Sequence, residues 1–126
     1  MTRNLTALAA ALTMTVLAVG PARADGDPKR GEKVFEECRA CHSLERGANG
    51  VGPDLHGVFG RRAGEPADFR CSPALKRSGI TWTPQTLDAY VADPQKAIPA
   101  NRMPYSGIPD ARDRADLIAY MQQVFK

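Results

Sequence analysis

The pattern of apolar and polar positions divides the chain near residue 24. An apolar stretch runs from about Leu5 to Val19, with one positive charge ahead of it at Arg3 and a Gly20-Pro21 break behind it. The segment closes on Ala22-Arg23-Ala24. That order predicts a signal peptide over residues 1–24, cleaved after Ala24 and directing secretion. The stretch is short of the ~20 apolar residues a bilayer span needs and is diluted by threonine, so no stable membrane insertion is expected. From residue 25 onward the periodicity is helical. "DPKRGEKVFEECRA" has Asp27 as N-cap and Pro28 at the first helical position, where the missing N–H costs nothing, and Val34, Phe35 and Cys38 follow at helical spacing. Gly31 inside this helix is costly unless something packs closely against it. Thr83-Pro84 and Asp93-Pro94 start two more helices in the same way, the second one short. "ARDRADLIAYMQQVFK" is amphipathic, with Leu117, Ile118, Tyr120, Met121, Val124 and Phe125 on its apolar side. No strand run and no internal repeat stands out, so the fold class is all-α.

Long loops join these helices. The glycines between Gly47 and Gly64, with Pro53, show no periodicity, and "PANRMPYSGIPDA" is a second loop rich in proline and glycine. Long loops in small domains usually serve function or wrap something. The apolar side chains are too few to fill the middle of such a fold, and a buried prosthetic group would explain both features. Composition adds two limits. Of the 126 residues, 17 are Lys or Arg and 14 are Asp or Glu, a net +3. Two of the arginines lie in 1–24 with no acid, which leaves residues 25–126, one small domain, near +1. With no basic block and no aromatic platform, nucleic-acid binding is not expected.

The chemistry concentrates in "EECRACHSL", residues 36–44, which holds Cys38, Cys41 and His42. A structural zinc site needs four ligands, and beyond these three only the isolated Cys71 and His56 remain. A redox dithiol of the thioredoxin kind sits at a helix N-terminus near a βαβ pattern, whereas this pair closes a helix in an all-helical chain. C-x-x-C-H is also the attachment motif of a c-type haem. Two thiols three residues apart reach two vinyl groups on one porphyrin edge, and the adjacent imidazole sits under the iron. Attachment takes place outside the cytoplasm, where the signal peptide would deliver the chain.

A second axial ligand is then needed. Met1 and Met14 belong to residues 1–24, and Met121 reads as core filling on the last helix. Met103 lies in the polar loop "ANRMPYSG" and is the candidate. His56, in "PDLHGVFG", is the rival and reads better as a loop-bracing histidine. A His/Met pair raises the reduction potential relative to two histidines and fills both axial sites, which disfavours oxygen or peroxide chemistry.

With these residues in order, the chain resembles the class I cytochromes c, near the mitochondrial and small soluble bacterial branch. The resemblance covers residues 26–125 and rests on "GEKVFEECRACHSLERG", "GPDLHGVFGRRAG", "GITWTPQTLDAYVADPQKAIP", "NRMPYSGI" and "RADLIAYM". It implies the class I cytochrome c fold, with the first and last helices crossing and long loops wrapped around one covalently bound haem c, held through Cys38 and Cys41. It also implies roles for particular residues. His42 and Met103 would be the axial ligands, and the Pro53 carbonyl would bond the other nitrogen of His42. Tyr90 would lie over the distal side near Met103. Trp82 and Arg61 would face the propionates, while Gly31 and Phe35 would cross the last helix near Leu117 and Tyr120. The function implied is that of a periplasmic, monomeric electron carrier rather than an enzyme. Its redox partners would be a cytochrome bc-type complex, a terminal oxidase, a photosynthetic reaction centre or a periplasmic dehydrogenase. A cytochrome subunit dedicated to one dehydrogenase, or a small peroxidase-like haem enzyme, is the alternative, and the low net charge favours the dedicated subunit over a freely diffusing carrier.

Departures from the family pattern stand out as well. Cys71 occupies the place of a propionate-binding tyrosine. Glu37, Gln95, Pro109 and Asp110 stand where lysines are common, leaving Lys96, Arg102 and Arg39 to form the basic rim. Steering toward an acidic partner is therefore expected to be weak. The expected docking patch lies near Cys38, Ala40, Arg102 and Tyr105.

Overall fold

The computed structural model describes residues 25–125; the expected signal peptide and the last residue lie outside the described residues. Five helices follow one another: α1 Pro28–Arg39, α2 Pro73–Arg77, α3 Pro84–Ala92, α4 Pro94–Ala97 and α5 Ala111–Val124. Among the described residues there is no strand, only one isolated antiparallel bridge between Arg62 and Thr81. No helix among the described residues is long and apolar enough to cross a membrane.

Local chemistry sets the helix starts. Asp27, Ser72, Thr83 and Asp93 each cap a helix whose first residue is proline, and each side chain accepts backbone N–H groups of the first turn. At α3 the arrangement is a full capping box, with Thr83 and Thr86 each bonding the other's backbone N–H. The Ser72-Pro73 start of α2 carries the same signal as the others. Sequence reading passes over it because only five residues follow, with no apolar period.

The core forms where α1 crosses α5. Phe35 and Leu117 are fully buried, and the Phe35 ring lies 5.4 Å from the Tyr120 ring and 5.7 Å from that of Phe125. Gly31 makes the crossing possible. A Cβ there would overlap the Asp116 carbonyl oxygen and stand 2.8 Å from the Tyr120 Cβ. The costly helical glycine is thus a close-approach glycine, as expected. Val124 differs from expectation: it is exposed, and Phe125, just past the helix end, takes the buried place.

A polar lock fastens the N-terminal end of the crossing. The buried Asp116 carboxylate accepts from Arg30 Nε at 2.7 Å, from Arg30 Nη2 at 3.1 Å and from the Asp27 backbone N–H at 2.6 Å. The Arg30 bond, aided by the Asp27 N–H, holds the Asp116 carboxyl below its ordinary value against the opposing effect of desolvation.

Two outcomes follow for the haem-loaded protein in denaturant titrations. Gly31→Ala forces α1 from α5 and should cost about 2–3 kcal/mol, as overpacking does; a midpoint equal to the parent's would refute the close-approach role. Asp116 has a lowered folded pKa, so its contribution is present above the unfolded value of about 3.9 and is lost as pH falls through the folded value. The stability gap between the parent and Asp116→Asn should therefore be full at pH 6–7 and close progressively below about pH 4.

Candidate cofactor site

The last turn of α1 carries Cys38, and the chain then doubles back. The Cys41 and His42 backbone N–H groups both return to the Cys38 carbonyl, at 3.1 and 2.9 Å. This turn brings Cys38, Cys41 and His42 to one wall of an apolar cavity of about 470 Å³. Ligand-binding pockets span about 300–1,000 Å³. Its other walls include Val58, Leu75, Leu87, Val91, Ile108, Leu117 and Met121. Burial and the neighbouring Glu37 push the Cys38 thiol up to about 11. A redox dithiol needs the opposite shift. Among the described residues no group of three or more His, Cys, Asp or Glu side chains is placed to hold a metal ion by itself.

His42 is fixed in orientation. Its Nδ1 lies 2.7 Å from the Pro53 carbonyl oxygen, so Nδ1 carries the proton and Nε2 keeps its lone pair. Gly52, beside Pro53, lies so close beneath the ring that a Cβ there would overlap the imidazole. Burial lowers the His42 pKa, outweighing the Pro53 bond, and Arg61 lowers it further. The ring is thus neutral at pH 7, the form that binds a metal.

Met103 lines the same cavity, half-buried, from the loop before α5. His56 does not line it: it borders a separate polar hollow with Asp54, Glu65 and Asp68. Met121 is buried in the α5 core, as expected of a filler. Tyr90 and Trp82 both line the cavity, their rings 5.0 Å apart and tilted by 54°. Burial, with a smaller effect of Cys71, pushes the Tyr90 phenol up to about 12, so it stays a donor. Arg61 is set beside Trp82 by a backbone pair: the Trp82 N–H donates to the Arg61 carbonyl at 2.9 Å, and the Gly60 N–H to the Trp82 carbonyl at 2.8 Å.

The family model for cytochrome c matches residues 28–125. A cytochrome c2 of Rhodoblastus acidophilus is 46% identical over 99 residues, 78% of this chain and 92% of that protein. A cytochrome c of Ginkgo biloba is 42% identical over 100 residues, 78% of this chain and 88% of its own. Among solved structures, cytochrome cH from Methylobacterium extorquens superposes with a TM-score of 0.73 at 47% identity, covering 78% of this chain and 99% of that one. This chain belongs to the cytochrome c family.

A cytochrome c binds one haem c covalently through its Cys pair and serves electron transport; here the pair is Cys38 and Cys41. The cavity fits that group on an independent observation. Arg61 borders it, and the Arg61 Nε is buried without a hydrogen-bond partner among the described residues. Its Nη2 donates to the Asp54 carbonyl at 2.8 Å and its Nη1 to that of His56 at 3.4 Å. A buried donor of a charged group needs an acceptor, and an anionic substituent of the haem would supply one.

Further features complete the surroundings of the site. Cys71 is buried and lines the cavity. Burial pushes its thiol up, while Lys76 and Arg61 pull it down by less. Arg39 stays exposed, as a rim residue would, yet it also pairs with Glu36 at 3.2 Å, bonds the Tyr120 hydroxyl at 2.9 Å and lies over the Phe35 ring. Asn101 is the positioning residue that sequence reading missed. Buried, it donates from Nδ2 to the Pro94 and Ile98 carbonyls at 2.8 and 2.9 Å, and its Oδ1 accepts the Met103 N–H at 2.8 Å. Those bonds offset the left-handed backbone of Ala100, φ 65°, which costs about 1–2 kcal/mol in a non-glycine residue.

Asn101→Ala removes all three side-chain bonds and should lower the stability of the haem-loaded protein by about 2 kcal/mol in guanidinium titration. Asn101→Asp keeps the acceptor for Met103 but turns a charge toward two carbonyls, and should be no less costly. Parent-like midpoints in both would remove Asn101 from this role.

Proposed function

We propose that this chain is a periplasmic single-electron carrier whose haem iron is held between His42 and Met103. The observation that carries it is that these two side chains line one apolar cavity, with the Nδ1 of His42 already taken by Pro53. When bound, the haem supplies the one-electron couple Fe(III) + e⁻ ⇌ Fe(II). The chain does the rest. Cys38 and Cys41 tether the group through thioethers. Pro53 and Gly52 keep the imidazole in one orientation and one tautomer. Met103 offers a soft, neutral thioether, which favours the ferrous state. The aliphatic walls keep water away, and Arg61, Trp82 and Tyr90 supply donors toward the propionates and the distal side. With His42 and Met103 both holding the group, no position would be left open for a substrate, which would separate a carrier from a peroxidase-like enzyme.

Redox proteins of the periplasm are the partners this reading implies: a bc-type complex, a terminal oxidase, a reaction centre or a dehydrogenase. Secretion rests on the order of residues 1–24, and the burial of Cys71, the third thiol, speaks against a dimer linked by a disulfide through it.

The test is spectroscopic. The ferric protein should show the weak red charge-transfer band of a thioether–iron bond. Met103→Ala should abolish the band and let carbon monoxide bind the ferrous protein rapidly, while His56→Ala should leave both properties unchanged. A band that survives Met103→Ala, or fast carbon monoxide binding by the parent, would contradict the reading.

A further inference from the structure

The loop that carries Met103 is fastened firmly at its two ends. At its start, Asn101 bonds Pro94 and Ile98. At its end, the Ile108 N–H donates to the Val91 carbonyl at 2.8 Å. There Arg114 also holds the Ile108 and Pro109 carbonyls at 2.9 and 2.8 Å while paired with Asp88. The middle is different. Arg102, Pro104 and Ser106 are exposed, and the Tyr105 N–H turns back locally to the Met103 carbonyl at 2.9 Å. Apart from the Met103 N–H, which Asn101 Oδ1 accepts at 2.8 Å, one hydrogen bond leaves residues 102–107 among the described residues: the Tyr105 hydroxyl donates to Glu37 Oε2 at 2.6 Å. Glu37 stands on α1 directly before Cys38, and both partners line the mouth of the cavity. A phenol on a carboxylate at this length is a charge-assisted bond, stronger than a neutral one. It ties the helix that bears the haem attachment to the middle of the opposite loop across 68 residues of sequence.

We propose that the Glu37–Tyr105 bond is a clasp that holds the middle of this loop closed over the cavity, making both residues positioning residues for Met103. The inference rests on Met103 as the distal ligand. Opening the loop to release Met103 requires this bond to break, whereas the two fastened ends can stay in place. An acidic residue on a rim that the resemblance expects to be basic thereby gains an internal role.

Added imidazole measures the opening, because it can reach the ferric iron only when Met103 leaves, and its apparent affinity scales with the open fraction. Tyr105→Phe and Glu37→Ala should each raise imidazole affinity roughly fivefold to tenfold, the scale of one hydrogen bond to a charged group at a partly exposed site. Glu37→Gln, which keeps a neutral acceptor, should fall between. The double variant Tyr105→Phe/Glu37→Ala should not exceed the larger single effect, since both remove one interaction. Affinities within twofold of the parent in both single variants, or fully additive effects in the double, overturn the clasp. If Met103→Ala leaves the thioether band intact, the ligand reading fails separately. The clasp is then decided by hydrogen exchange at the Tyr105 backbone N–H, which should accelerate about tenfold in both single variants; unchanged exchange overturns it.

Discussion

The close crossing of α1 and α5 is the contact from which the rest of the molecule is built. Gly31 lets the two backbones meet, and Phe35, Leu117, Tyr120 and Phe125 fill the space beyond. The Arg30–Asp116–Asp27 lock fixes one end, while Arg39, bonded to Tyr120 and lying over Phe35, fixes the other. A helix held at both ends delivers its last turn to a defined place, and that turn carries Cys38. Because Cys41 and His42 hang from the Cys38 carbonyl, the accuracy of the crossing passes directly to the attachment site. A small domain has little spare core with which to correct an error there.

On the distal side the precision comes from polar bonds instead of packing. Met103 rides on a loop, and loops carry no hydrogen-bond ladder of their own. Asn101 supplies the equivalent by tying the loop to the short helix α4, which exists because Asp93 caps it and Pro94 starts it. The two halves of the site therefore fail differently. A core change spreads through the α1–α5 crossing, whereas a loop change acts through the few bonds that place Met103 at the cavity.

Legibility in the sequence followed the range of each interaction. The starts of α1, α3 and α4 were readable because a cap and a proline act within one turn, and the attachment motif because its three residues share one turn. The value of Gly31 was readable only through the resemblance, since its partner Asp116 is 85 positions away. Asn101 was invisible for a related reason: an asparagine beside a glycine-rich loop looks like a turn former, and its acceptors on Pro94 and Ile98 come near only once α4 has formed. For Arg39 only half was legible. Its charge suggested the rim, and it is exposed; its contacts with Tyr120 and the Phe35 ring appear only once the fold brings those rings beside it. Cys71 could be placed near the cavity by resemblance, yet its depth could not be read, because the helix that starts beside it at Ser72 is too short to leave a pattern.

Arg61 shows how the long loop after the attachment motif serves the site. A guanidinium beside a buried carboxylate would ordinarily be neutralised by it, and Asp54 is buried at hand. Yet the Asp54 carboxylate is already shared: one oxygen accepts the Gly47 N–H and the other the His56 N–H, and its nearest approach to Arg61 is 3.9 Å. The shorter of Arg61's bonds go instead to neutral carbonyls, those of Asp54 and His56. The loop thus braces the head with Asp54 only at the edge of ion-pair distance, and the Nε, without a partner among the described residues, lies on the side chain that borders the cavity. An arginine with every donor taken by a carboxylate would have little left for an anion; one whose hydrogen bonds go to carbonyls keeps a donor for an anionic group. The glycines and turns between residues 47 and 61 are what bring that arrangement together, and this accounts for a loop of such length in so small a domain.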